Sequence, residues 1–186
     1  MRRNRRSVEG VLLPGLVLLA GCSALGNRED AVTLFARALA VDTAQASAPD
    51  LVRAALDYAR AAELGHPGAA NNLGLLFHAG RGVAQDHAEA RRWFARAVAA
   101  GFGGANVNLG VMAFYGQGGP RDLDEARNLL TTAAGAGDVR AMTLLGSWSY
   151  EGAGGSAVDR SAAARWYTVA AERGVVVAQH RLGRML

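Results

Sequence analysis

The sequence predicts an all-α fold: a right-handed α-solenoid of antiparallel helix hairpins, with an N-terminal signal peptide. Three observations lead there. Gly65, Gly101, Gly137 and Gly174 open segments that repeat one another at spacings of 36, 36 and 37 residues, and a fixed period in this range marks a stacked-hairpin array. Each of the first three segments carries two apolar stripes at helical spacing, parted by a glycine-rich break. Ahead of the array a short cationic start runs into an apolar stretch ending in small residues, the layout of a secretory leader.

Residues 1–21 read as that leader. Arg2, Arg3, Arg5 and Arg6 form its cationic start, Val11 to Leu19 its apolar segment, broken by Pro14 and Gly15, and Ala20 and Gly21 its small end. The apolar run falls short of a comfortable membrane span, which needs about 20 residues. Cys22 is the single cysteine of the chain, so it forms no internal disulfide and builds no zinc site by itself. Leu19-Ala20-Gly21-Cys22 resembles the lipobox of bacterial lipoproteins. A core thiol, or a plain leader cut elsewhere, does not account for the four residues together. The resemblance implies a lipid on the Cys22 thiol and an acylated amino group, and two or more chains anchor stably. Ser23 stands where the inner-membrane retention signal of enteric bacteria has aspartate. The expected location is therefore the cell envelope, lipid-anchored, at the outer membrane facing the periplasm, with residues 22–28 as a lipidated tether.

The net charge of +4 at first suggests an anionic partner. The four leader arginines against Glu9 supply three of those charges, which leaves about +1 on the remainder. Nothing in that remainder points to nucleic acid.

Residues 29–64 are read as a degenerate hairpin that caps the array. Its first helix is expected from Glu29 to about Ala40. In its second, Ala54, Tyr58, Ala61, Ala62 and Gly65 match Ala90, Phe94, Ala97, Val98 and Gly101, after the breaker Ser47-Ala48-Pro49-Asp50. Three repeats follow, at 65–100, 101–136 and 137–173, and 174–186 closes the array as a half-repeat.

In the first repeat Ala69, Leu73, Leu76 and Phe77 make one stripe and Ala90, Trp93, Phe94 and Ala97 the other. Gly80 is placed to end the first helix in a left-handed conformation. Asp86 with Glu89 and Asp122 with Glu125 have the spacing of a capping box. In the third repeat Asp159 is followed by Ala162, so that cap is expected weaker or shifted to Ser161. The pairs Leu73-Gly74, Leu109-Gly110 and Leu145-Gly146 put glycine in mid-helix, at close to 1 kcal/mol relative to alanine. A close approach of neighbouring helix backbones would explain the repetition. Trp93 and Trp166 recur in register and read as packing residues.

The combination A-x-x-x-L-G, G-x-G, Asp, then A-x-x-W-[FY]-x-x-A resembles the Sel-1-like repeat, a relative of the tetratricopeptide repeat, over residues 65–186. Gly119 and Gly155 replace the loop residue Val83, Leu129-Leu130 replace the aromatic pair, and Ala113 and Ser149 take the place of Phe77. These departures loosen the second and third repeats.

An enzyme would need convergent ionisable groups. His66, His78, His87 and His180 occupy different repeat positions and show no metal-binding spacing. All 20 basic residues are arginine, which excludes a lysine-dependent phosphate loop, a Ser-x-x-Lys pair and a Schiff base. No catalytic residue, metal ligand or cofactor is assigned. A cell-wall or β-lactam-processing enzyme, the alternative suggested by cysteine-rich relatives, is a poor match for repeats that lack cysteine.

Binding is the expected role: a periplasmic adaptor for a protein or peptide partner of an envelope assembly. Opposite the Ala69/Leu73/Leu76 stripe, the first helices present Asn71, Leu75 and His78, then Val107, Val111 and Phe114, then Thr143, Ser147 and Tyr150, then His180 and Arg184. Resemblance to tetratricopeptide-like arrays implies that this face lines a groove. His78, Phe114 and Tyr150 either form a ladder that recognises the partner or are covered by the chain's own next hairpin.

Overall fold

The computed structural model describes residues 29–153 and 157–185. Cys22 and its lipobox lie outside the described residues, as does Gly155. Among the described residues the chain forms nine α-helices and no strand: α1 (Ala31–Val41), α2 (Ala48–Glu63), α3 (Pro67–Ala79), α4 (His87–Ala99), α5 (Ala105–Tyr115), α6 (Leu123–Gly135), α7 (Val139–Glu151), α8 (Arg160–Glu172) and α9 (Val176–Gly183). Each helix packs mainly against the ones before and after it in the chain, the quasi-one-dimensional contact pattern of a solenoid.

Chemistry at the helix starts fixes where these elements begin. Asp30, Ser47, His66, Asp86, Asp122, Asp138 and Asp159 each turn a side-chain acceptor onto a first-turn N–H, satisfying donors that a helix leaves open. The expected shift of the α8 cap to Ser161 does not occur. Asp159 keeps the position and accepts from the Ala162 N–H at 2.8 Å, because that bond needs only the aspartate and not the missing glutamate. Where the glutamates are present they pair with arginines: Glu89 with Arg92, and Glu125 with Arg91 of the preceding repeat.

The recurrent mid-helix glycines are seats for side chains of the second helices. Tyr58, Phe94, Leu130 and Tyr167 hold one register position on α2, α4, α6 and α8 and are 0%, 1%, 0% and 0% exposed. A Cβ on Gly74 would stand 2.8 Å from the Phe94 ring, and one on Gly146 2.8 Å from that of Tyr167. This corrects the expected backbone-to-backbone approach: in α3 and α7 an aromatic ring fills the space. Only at Gly110, where leucine replaces the ring, is a backbone atom the nearest neighbour, the Ala126 carbonyl oxygen at 3.2 Å.

The G-x-G loops do two jobs. Gly80 ends α3 at φ 67°, as its position predicts. The second glycine makes a contact that turn chemistry alone does not reveal. A Cβ on Gly82 would lie 2.4 Å from the Leu51 carbonyl carbon, and one on Gly118 2.1 Å from the His87 carbonyl oxygen. Leu51 and His87 are equivalent positions near the starts of α2 and α4, so each loop rests on the preceding repeat. Between these contacts runs a core rich in alanine, in which Ala38, Ala54, Ala69, Ala90, Ala105, Ala126, Ala141 and Ala163 are fully buried. Small side chains there let the hairpins stack closely.

Candidate partner-binding surface

The first helices α3, α5 and α7 carry the residues expected to face a partner, and the structure divides them into two sets. Asn71, Val107 and Phe114 are buried, at 7%, 5% and 9% exposure. Their expected exposure is corrected, because each is covered by the next repeat or by its own neighbours. Asn71 accepts a hydrogen bond from the Asn108 amide at 3.0 Å. Val107 joins the core around Leu130, Ala134 and Met142. The Phe114 ring stacks on Trp148 of α7 with centroids 4.0 Å apart, and the Arg121 guanidinium lies over it at 5.3 Å. For Phe114 the covering alternative is the one observed.

Leu75 is exposed, and His78, Val111 and Tyr150 are half-buried. The His78 Nε2 lies 3.3 Å from the Gln117 side-chain oxygen of the loop between α5 and α6, and its ring centroid is 5.1 Å from that of His87. Arg160 of α8 lies over the Tyr150 ring at 5.9 Å. The ladder His78, Phe114, Tyr150 is therefore not one continuous open strip. Tyr115, 66% exposed, supplies what Phe114 does not. It lies one turn beyond Val111 on α5 and packs edge-on against Phe114, centroids 5.0 Å apart. Leu75 with His78, Val111 with Tyr115, and Ser147 with Tyr150 thus form the accessible face of successive first helices. The sequence did hold a signal for Tyr115: it follows Val111 by four residues, just before the loop glycine Gly116.

A second feature was missed. Between α6, α7 and α8 a cleft of about 380 Å³ is lined by Trp148, Ser149, Trp166, Leu145, Arg127 and Thr131, among others. It lies at the level that Phe77 fills in the first repeat, where that ring is 3% exposed. Ser149 occupies the same register position with a much smaller side chain. The substitution reads in sequence as loosening; in three dimensions it opens a space walled by two indoles, suited to an apolar side chain.

Two further ion pairs lie within single hairpins. Arg37 of α1 holds Asp57 of α2 through two hydrogen bonds of 2.6 Å. Asp138 at the start of α7 is held below its ordinary value, mainly by the side-chain hydrogen bond from Arg140. Among the described residues no group of three or more His, Cys, Asp and Glu side chains is placed to hold a metal ion. No helix among them is long and apolar enough to cross a membrane.

Comparison with known proteins agrees with this architecture. The chain resembles a protective antigen of uropathogenic Escherichia coli with an SLR fold, at 30% identity and TM-score 0.77, over 83% of this chain and 33% of that one. It resembles a Sel1 repeat protein from Oxalobacter formigenes at 30% identity and TM-score 0.75, over 83% of this chain and 63% of that one. An immunity protein from Pseudomonas aeruginosa, 23% identical, has the same fold at TM-score 0.58, over 83% of this chain and 57% of that one. The chain thus spans a third to two thirds of the length of these structures. A search of curated proteins returned no match. The Sel1 repeat matches residues 67–102, 104–138 and 139–175, more than half of the sequence, and the chain belongs to the Sel1 repeat family.

Proposed function

We propose that this Sel1 repeat protein is a scaffold that docks a protein or peptide of an envelope assembly while anchored to the membrane through lipid on Cys22. The observation that carries the docking role is the accessible face of α3, α5 and α7, where Leu75 and Tyr115 stand 44% and 66% exposed on a rigid stack of hairpins. Exposed apolar and aromatic side chains on a preformed surface are typical anchors for a partner. The anchoring and the periplasmic location rest on Leu19-Ala20-Gly21-Cys22 and the arginine-rich start before it. The leader and tether bring the repeats to the membrane, and the repeats hold the partner.

Two measurements test the two halves. Wild-type protein should take up labelled palmitate and fractionate with membranes, and Cys22→Ser should do neither; equal behaviour of the two forms refutes the anchor. A photo-crosslinking residue in place of Tyr115 should capture a discrete envelope protein, whereas one at the buried Ala105 should not. Equal capture from both positions, or none from Tyr115, refutes the docking face.

A further inference from the structure

The cleft between α6, α7 and α8 gathers two losses in the repeat pattern at one place. Ser149 holds the register position of Phe77, and Ala162 that of Glu89 and Glu125. In the first repeat the Phe77 ring is buried in the same core as Trp93. In the third, Trp166 keeps the position of Trp93 but stands half-buried, as does Ser149. A small residue alone does not open the space. Ala113 takes the place of Phe77 in the second repeat and is fully buried, in a cluster against which Leu123 and Trp148 pack.

The second loss removes a charge. Arg91 of α4 pairs with Glu125 of α6 across the junction of the first two repeats. Arg127 of α6 holds the register position of Arg91 and lines the cleft, and opposite it α8 offers Ala162 where α6 has the glutamate. A guanidinium carries five N–H donors, so Arg127 can take a carboxylate alongside the contacts it already makes. Asp159 is also on the cleft wall, but its carboxylate is turned onto the Ala162 N–H at 2.8 Å.

A ring and a carboxylate, held close together, therefore define the ligand. The walls are set in advance: Trp148 stacks on Phe114 with centroids 4.0 Å apart, and Trp166 packs against the core that holds Leu145 and Tyr167. A volume of about 380 Å³ is that of a small-ligand pocket and accommodates a phenyl ring. Residues 1–28 contain no aromatic residue, so they do not supply that ring. We propose that the cleft binds a segment of a partner protein carrying adjacent phenylalanine and glutamate. The ring lies against Trp148 and Trp166, at the level that Phe77 fills in the first repeat, and the carboxylate meets Arg127 as Glu125 meets Arg91. This adds a second contact to the scaffold reading and rests on it.

The probe is the fluorescein-labelled, C-terminally amidated peptide Gly-Ser-Gly-Phe-Glu-Gly-Ser, titrated against the full chain by anisotropy. Saturable binding is expected, weakened about tenfold when its phenylalanine is replaced by alanine and about threefold when its glutamate is replaced by glutamine. Ser149→Phe puts the chain's own ring in the cleft; it should abolish binding and melt no lower than wild type, as a cavity-filling change does. Ala162→Glu gives Arg127 the carboxylate that Arg91 has, and should weaken binding about threefold. The proposal is overturned if the peptide does not bind, if either altered peptide binds as tightly, if either variant binds as wild type does, or if Ser149→Phe melts lower. It is also overturned if a second copy of the chain closes the cleft, seen in sedimentation as a dimer that Ser149→Phe dissociates. Absence of peptide binding together with discrete capture at Tyr115 leaves the scaffold reading standing, whereas peptide binding without that capture refutes the docking face and leaves the cleft.

Discussion

The Tyr167 ring packs against Gly146, so close that a methyl on the glycine would stand 2.8 Å from it. The ring cannot swing aside freely, because its hydroxyl is 3.0 Å from the Ser147 hydroxyl and its side chain is fully buried. Gly146→Ala should therefore destabilise the protein by about 1–3 kcal/mol through overpacking, less ~1 kcal/mol gained in helix propensity. Gly110→Ala, whose nearest neighbours are at 3.2–3.4 Å, should cost less. Denaturant unfolding of the pair checks the order.

Gly118 sets a stricter limit. Its φ of 71° disfavours any side chain, and a Cβ would fall 2.1 Å from the His87 carbonyl oxygen. Backbone cannot rotate away as a side chain can. Gly118→Ala should cost more than Gly146→Ala and loosen the junction between the first two Sel1 repeats. Hydrogen exchange should show faster opening of the α4 first turn and of the following loop.

The α8 cap is carried by Asp159, not Ser161. Asp159→Ala should cost about 1 kcal/mol and Asp159→Asn only a few tenths, since asparagine caps nearly as well. Ser161→Ala should leave the melting temperature unchanged. If Ser161→Ala cost as much as Asp159→Ala, the cap would be shared.

Much of this was legible from periodicity alone. The hairpins, the left-handed Gly80 and the caps at Asp86 and Asp122 follow from residues within a few positions of one another, where spacing in sequence equals spacing in space. What escaped is made between repeats. Gly118 on His87 and Phe114 on Trp148 each join residues 31 and 34 positions apart, and no local pattern shows which side of a helix its next neighbour will cover. The cleft beside Trp166 escaped for a related reason: Ser149 is an ordinary residue until the absence of a Phe77-like ring leaves a space. Tyr115 was overlooked because Phe114, its more apolar neighbour, fits the same stripe by spacing, and only packing tells them apart.

That division between Phe114 and Tyr115 can be measured. Phe114→Ala removes a ring stacked on Trp148 and should cost about 3 kcal/mol, within the range for buried phenylalanine. Tyr115→Ala and Leu75→Ala should stay within about 0.5 kcal/mol of wild type, yet reduce partner capture. Thermal melts set beside cross-linking yields separate the two effects. A Tyr115→Ala form that lost stability as Phe114→Ala does would assign the residue to the core.

Alkaline pH addresses the N-terminal hairpin. Burial pushes the Tyr58 hydroxyl up from its ordinary 10.0 to about 12, and Asp42, which accepts its hydrogen bond at 3.2 Å, adds to the rise. The Asn72 side chain and the positive charge of Arg81, paired with Asp42 at 2.9 Å, oppose it without cancelling it. Folding thus favours the protonated phenol. Its contribution to stability is fully present below pH 10 and is lost as pH rises through 12. Unfolding free energy measured across that window should fall more steeply for wild type than for Tyr58→Phe, which keeps the ring in its place and carries no titrating proton. Parallel slopes for the two proteins would show that Tyr58 ionises as readily folded as unfolded, and that α1 and α2 do not shield it from water.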